Sequence, residues 1–159
     1  MARQALTITH KKAPRGLKKA VKLGVREGME IAFAWWHRVI APQHFEPSAV
    51  SKYGYDKRTK RYQQRKAVKF HHQRPLEWTG ETKRKILGGQ PEITVRGKTA
   101  TMKFTDLPHY ANIRSRPSKG GSRKQPDKQR ELTFVTQSEA DEMMDRITRQ
   151  IEARMTLSK

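Results

Sequence analysis

The chain has 159 residues, enough for one domain with a modest core. It contains no cysteine, which excludes a disulfide framework and a thiolate metal site. Its 35 basic and 15 acidic side chains leave a formal charge of +20, so a polyanion or an acidic protein surface is the expected neighbour.

Residues 1–14 show no apolar periodicity and read as a basic arm, without the apolar core of a secretion signal. Residues 15–40 read as a long helix. Leu17, Val21, Val25, Met29, Ala32, Phe33, Trp36 and Ile40 recur there at three- and four-residue steps. Pro14 suits the start of this helix and Pro42 its end. Gly24 and Gly28, four apart, make a smooth groove where another backbone can approach. Trp35 and Trp36 point about 100° apart, so either both fill one wide core stripe or one of them reaches a second surface. The apolar run Ile31–Trp36 is too short to span a bilayer.

Residues 45–87 hold three of the four tyrosines and twelve lysines and arginines. Pro47–Ser51 suggests a short helix leading to Tyr53. Asp56–Phe70 reads as a helix with little apolar content, on which Tyr55, Tyr62 and Lys66 share one face. Pro75 is expected to stop it. Such a helix packs at only one or two points, so the segment is expected to stand away from the core and touch a neighbouring molecule. Thr79-Gly80 reads as a turn, followed by a short helix from Glu81.

Residues 91–135 read as a small sheet. Glu92–Val95 and Thr99–Thr105 alternate about Arg96-Gly97-Lys98, the pattern of a hairpin. Leu132–Val135 reads as a further strand. Between them, residues 114–130 carry seven basic residues, two prolines and two glycines, and read as a basic loop that orders on assembly. Residues 136–156 read as the C-terminal helix. Thr136 with Glu139 makes a capping box, and Ala140, Met143, Met144, Ile147, Ile151 and Met155 form an apolar stripe. The charge is uneven: residues 1–130 carry 31 basic and 9 acidic side chains, whereas residues 131–159 carry 4 and 6. The fold class expected is α+β, one domain with a small antiparallel sheet packed by the long first helix and the last helix, and with residues 45–87 as an aromatic-basic helical insertion.

No catalytic constellation emerges. There is no glycine-rich phosphate loop. His71-His72 lacks a third ligand at a recognisable spacing. His10, His37, His44 and His109 are scattered. Asp141, Glu142 and Asp145 crowd a helix start, where the helix dipole favours them. We therefore expect no enzyme activity, no cofactor and no metal. A nuclease gathering carboxylates from distant segments is disfavoured, because the first 130 residues hold only nine acidic ones.

Tyr53, Gly54, Tyr55, Arg58, Tyr62 and Lys66 spell YGY-x-x-R-x-x-x-Y-x-x-x-K, and Pro75, Leu76, Trp78, Thr79 and Gly80 spell PL-x-WTG. This stretch resembles the virion-morphogenesis, tail-completion or neck proteins of tailed bacteriophages. The resemblance is closest over Phe45–Leu87 and holds at the level of element order over Pro91–Met155. It implies a structural virion protein, a ring subunit joining the capsid connector to the tail around the DNA channel. It implies a homo-oligomeric ring, a hexamer with a dodecamer as the alternative, and adjoining neck, connector and tail proteins as partners. It implies residence at the head–tail junction, after a stage in the host cytoplasm, and no membrane.

Aromatic and arginine side chains are the usual anchors of interfaces. We therefore expect assembly contacts at Trp35, Tyr53, Tyr55, Arg58, Tyr62, Lys66 and Trp78. Arg114, Arg116, Lys119, Arg123 and Lys124 are the candidates for non-specific contact with DNA phosphates in the lumen. The alternative is a standalone basic nucleic-acid-binding protein, stacking bases on its tyrosines and touching phosphates without sequence preference.

Overall fold

The structure, a computed structural model, describes residues 6–7, 17–77, 79–97, 99–104, 107 and 127–157. It is α+β. Strand β1 spans Leu6–Thr7, helix α1 Leu17–Trp35, α2 Ala49–Lys52, α3 Lys60–Phe70 and α4 Glu81–Gly88. Strands β2 and β3 span Glu92–Arg96 and Thr99–Lys103, and helices α5 and α6 span Lys128–Thr133 and Gln137–Thr156.

The periodic stripe of α1 is its core face: Val25, Met29, Ala32, Phe33 and Trp36 are buried. The expected helix over 15–40 changes its winding before its end. Trp36–Ile40 form a π turn, and Ala41–Phe45 a 3-10 turn. The N–H of Ala41 reaches back to the carbonyl of Trp36, the longer bond of the wider turn, and Pro42, which has no N–H, cannot continue an α-helix after it. The side-chain amide of Gln43 then donates to the Val39 carbonyl at 3.0 Å. The wider turn carries Trp36, Ile40, Ala41, His44 and Phe45 all inward. Trp35 is buried too, beneath the guanidinium of Arg146 at 4.4 Å from the ring centre. Both tryptophans are therefore held within the chain's own fold.

The Gly24–Gly28 groove is filled by the chain's own last helix. A Cβ at Gly24 would lie 2.8 Å from the Ile151 Cα, and one at Gly28 2.8 Å from the Ile147 Cα. α1 and α6 thus run antiparallel with their backbones close. Met143 and Ile147 are buried against α1, with Ile151 packed at the margin. At the far end Arg154 donates to the Glu27 carboxylate from two nitrogens, at 2.5 and 2.7 Å. These bonds hold the Glu27 carboxyl below its usual range.

The expected hairpin forms, with Arg96 paired to Thr99 and Gly97 at a φ of 60° in the turn. Ala100 and Met102 point into the core, and β2 and β3 pack on α1. The sheet order is β1-β3-β2, so the arm supplies the third strand. The expected strand Leu132–Val135 does not form. Asp127 caps a helical turn by accepting from the Arg130 N–H at 2.8 Å, and Leu132 and Thr133 close that helix. Glu131 and Leu132 are adjacent and both buried, which a strand with one solvent face does not allow.

Candidate functional site

Residues 45–77 are anchored to the rest of the chain through a buried polar cluster. The 3-10 turn delivers His44 and α2 delivers Tyr53, whose ring stacks on His44 with centres 4.0 Å apart and planes 5° from parallel. Gly54, at a φ of 61°, turns the chain so that Tyr55 folds back on the same side. His44, Tyr53 and Tyr55 are almost wholly buried, with Phe134 packed against the tyrosines' cluster. Expected as interface anchors on an extension, Tyr53 and Tyr55 are instead part of a second core within the chain. Trp35 is likewise interior. The physical reason is polar pairing, which lets this charge-rich segment bury its rings.

Two carboxylates from the C-terminal quarter make that pairing. Glu139 closes the predicted capping box with Thr136, accepting from the Thr136 N–H at 3.0 Å. Its other oxygen accepts from the Tyr53 hydroxyl at 2.9 Å and meets the Lys52 ammonium at 2.6 Å. Burial pushes the Glu139 carboxyl up, but Lys52, the Thr136 N–H and Tyr53 outweigh it, and the net displacement is downward. Burial, with Glu139 beside it, raises the Tyr53 phenol. Glu131 accepts from the Asp56 N–H at 3.0 Å and pairs with Arg58. Removing the partner of such a buried carboxylate costs about 3–5 kcal/mol.

His44 sits where these elements meet. Its Nδ1 lies 3.1 Å from the Glu131 carbonyl and 2.5 Å from the Tyr55 hydroxyl oxygen. Nδ1 donates to the Glu131 carbonyl in one tautomer and accepts from the Tyr55 hydroxyl in the other. Burial drives the imidazole from 6.5 down to about 4, against the pull of Glu139 and of the Glu131 carbonyl. The ring is neutral at pH 7 and holds three segments together.

Beyond this cluster lies a cavity of about 400 Å³ between the start of α3 and the turn that follows it. Thr59 caps α3 by accepting from the Tyr62 N–H at 3.2 Å. His71, at a φ of 55°, ends it four residues before Pro75, which is not the stop that was expected. Pro75 and Leu76 then form the cavity's far wall, with Leu76 at a φ of 54°. Of the predicted site residues, the fold brings Tyr55, Arg58, Tyr62 and Lys66 to this one cavity. Lys128 and Arg74 join them, and neither was singled out from sequence. Lys66 is 4 % exposed and donates to the Arg74 carbonyl. Burial lowers its ammonium to about 8, and Arg58 and Lys128 push the same way against Glu77.

The outward face of α3 is different. Lys60, Arg61, Arg65 and Lys69 are exposed beside Val68, which is 79 % exposed. No acidic residue occurs between Asp56 and Glu77. Trp78 and the expected phosphate contacts Arg114, Arg116, Lys119, Arg123 and Lys124 lie outside the described residues. Among the described residues no group of three His, Asp or Glu side chains could hold a metal. Among them, too, no helix is long and apolar enough to cross a membrane. Glu131 had no signal in the sequence, and Glu139 signalled only its cap.

Compared with protein families, with curated proteins and with solved structures, the chain matches none.

Proposed function

We propose that the chain is a structural, non-catalytic virion protein of a tailed phage, a ring subunit of the neck or tail-completion assembly that joins the capsid connector to the tail. The observation that carries this reading is the division of labour within residues 45–87. The tyrosines and Arg58 are used up internally, leaving the outward face of α3 as a row of exposed cations beside an exposed Val68. A free protein carries such a face at a cost in self-repulsion, and a polyanion or an acidic neighbour relieves it. The resemblance of residues 53–80 to phage neck proteins supports the same reading. Rings need heterologous, head-to-tail contacts that close, and a projecting helix suits them. The ring is a hexamer, or else a dodecamer, with DNA passing through its lumen.

The test replaces Lys60, Arg61 and Arg65 with Gln. The variant should fold normally and yet leave heads and tails unjoined in a complementation assay. Joined, infectious particles at wild-type yield would overturn the proposal. The same cationic face favours a second reading, a standalone duplex-binding protein. That reading expects the wild type to bind DNA as a soluble monomer, with affinity falling steeply as salt rises.

A further inference from the structure

We propose that the cavity walled by Arg58, Lys66, Arg74 and Lys128 is a binding site for a phosphate group. The site is concave, unlike the outward face of α3, and its volume of about 400 Å³ lies in the range of small-ligand pockets. Its walls are Tyr55–Arg58, the inner face of α3 at Tyr62 and Lys66, the Gln73–Glu77 turn and Lys128 at the start of α5. Five cationic side chains line it, against the carboxylates of Asp56 and Glu77. Glu131 lies behind the wall and meets Arg58, so the lining retains a net positive charge even when Glu131 is counted.

The arrangement is built, not scattered. The Lys66 ammonium is fixed by the Arg74 carbonyl, and Arg58 by Glu131. Arg58 also donates to the Asp56 carbonyl at 3.1 Å. Glu77, 9 % exposed, meets His72 and Arg74 at 3.8 and 3.9 Å, and its charge also draws on the Lys66 ammonium. Burial lowers the ammonium groups of both Lys66 and Lys128, and Arg58 lowers each further, against the opposing pull of Glu77 on Lys66 and of Glu131 on Lys128. Cations gathered in this way repel one another until an anion enters, and the anion that suits them has several acceptor oxygens. Tyr55 and Tyr62 complete a wall with phenol rings against the cationic side. The proposal is independent of ring formation, because the site lies within one subunit.

The test is titration of the full chain with inorganic phosphate at constant ionic strength, followed by calorimetry and by thermal unfolding. Phosphate should raise the unfolding temperature, whereas chloride and acetate should not. Lys66→Met and Lys128→Gln should each weaken phosphate binding about tenfold, the loss expected for one charge-assisted hydrogen bond. Replacing the exposed Lys60, Arg61 and Arg65 with Gln should leave it unchanged. If Lys66→Met does not fold, Lys128→Gln carries the comparison. An equal response to acetate would assign the cavity to a protein carboxylate and overturn the proposal. So would an equal phosphate response in the wild type and in Lys128→Gln. Competition by a short oligonucleotide identifies the source. Displacement only when it bears a 5′-phosphate marks a terminal phosphate, displacement without one marks the backbone, and no displacement marks the free ion.

Discussion

Lowering the pH from 7 to 5 should destabilise the protein through the His44 ring. In the folded state burial holds this imidazole at about 4, against an ordinary value of 6.5. The unfolded chain therefore takes up a proton first, and the stability that His44 contributes is fully present above 6.5 and lost as the pH falls towards 4. Each pH unit inside that window removes about 1.4 kcal/mol, which amounts to about 2 kcal/mol between pH 7 and 5. Glu139 and Glu27 have carboxyls lowered from 4.5, so the stability they contribute is lost as the pH falls below about 4.5, under the pH 7 to 5 interval read here. The assay is urea unfolding at several pH values, followed by tryptophan fluorescence. Trp36 is a suitable reporter, with its ring 5.8 Å from that of His44. His44→Asn keeps a donor near the Glu131 carbonyl but does not titrate. It should be less stable at pH 7 and nearly flat down to pH 5. Parallel curves for the two proteins would show that the buried ring is not the source of the slope, and the reasoning on its burial would fail.

The close backbone approach of α1 and α6 makes Gly24→Ala and Gly28→Ala destabilising, although Ala favours a helix by about 1 kcal/mol. The obstructing atoms are backbone, so overpacking of about 1–3 kcal/mol should prevail in chemical denaturation. Gly88→Ala, with nothing within 4 Å of the new methyl, is the control and should be neutral or better. Arg58→Ala should lower stability by about 3 kcal/mol by removing the Arg58 partner of the buried Glu131 carboxylate. Arg58→Ala combined with Glu131→Gln should recover part of that loss in thermal unfolding, and strictly additive effects would argue against a direct pair.

What the sequence determined by itself was local. The stripes of α1 and α6, the Thr136–Glu139 capping box, the turn at Gly97 and the short helix after Gly80 were all legible, because each depends on residues within a turn or two of chain. The α+β class followed from their order. The glycine pair was legible as a groove, but its occupant was not, since Ile147 and Ile151 meet Gly28 and Gly24 only once both helices are placed. Leu132–Val135 misled for a related reason: its apolar residues suit a strand, and the Asp127 cap together with the inward pull on Glu131 decided for a helix. The tyrosine-rich segment shows the limit most clearly. Counted alone it has too many charges to bury, and exposure was the natural reading. Glu139 and Glu131 reach it from 86 and 73 residues away, at Tyr53 and Arg58. A buried charge is tolerable only beside its counter-charge, and where that counter-charge lies in space is a property of the tertiary fold.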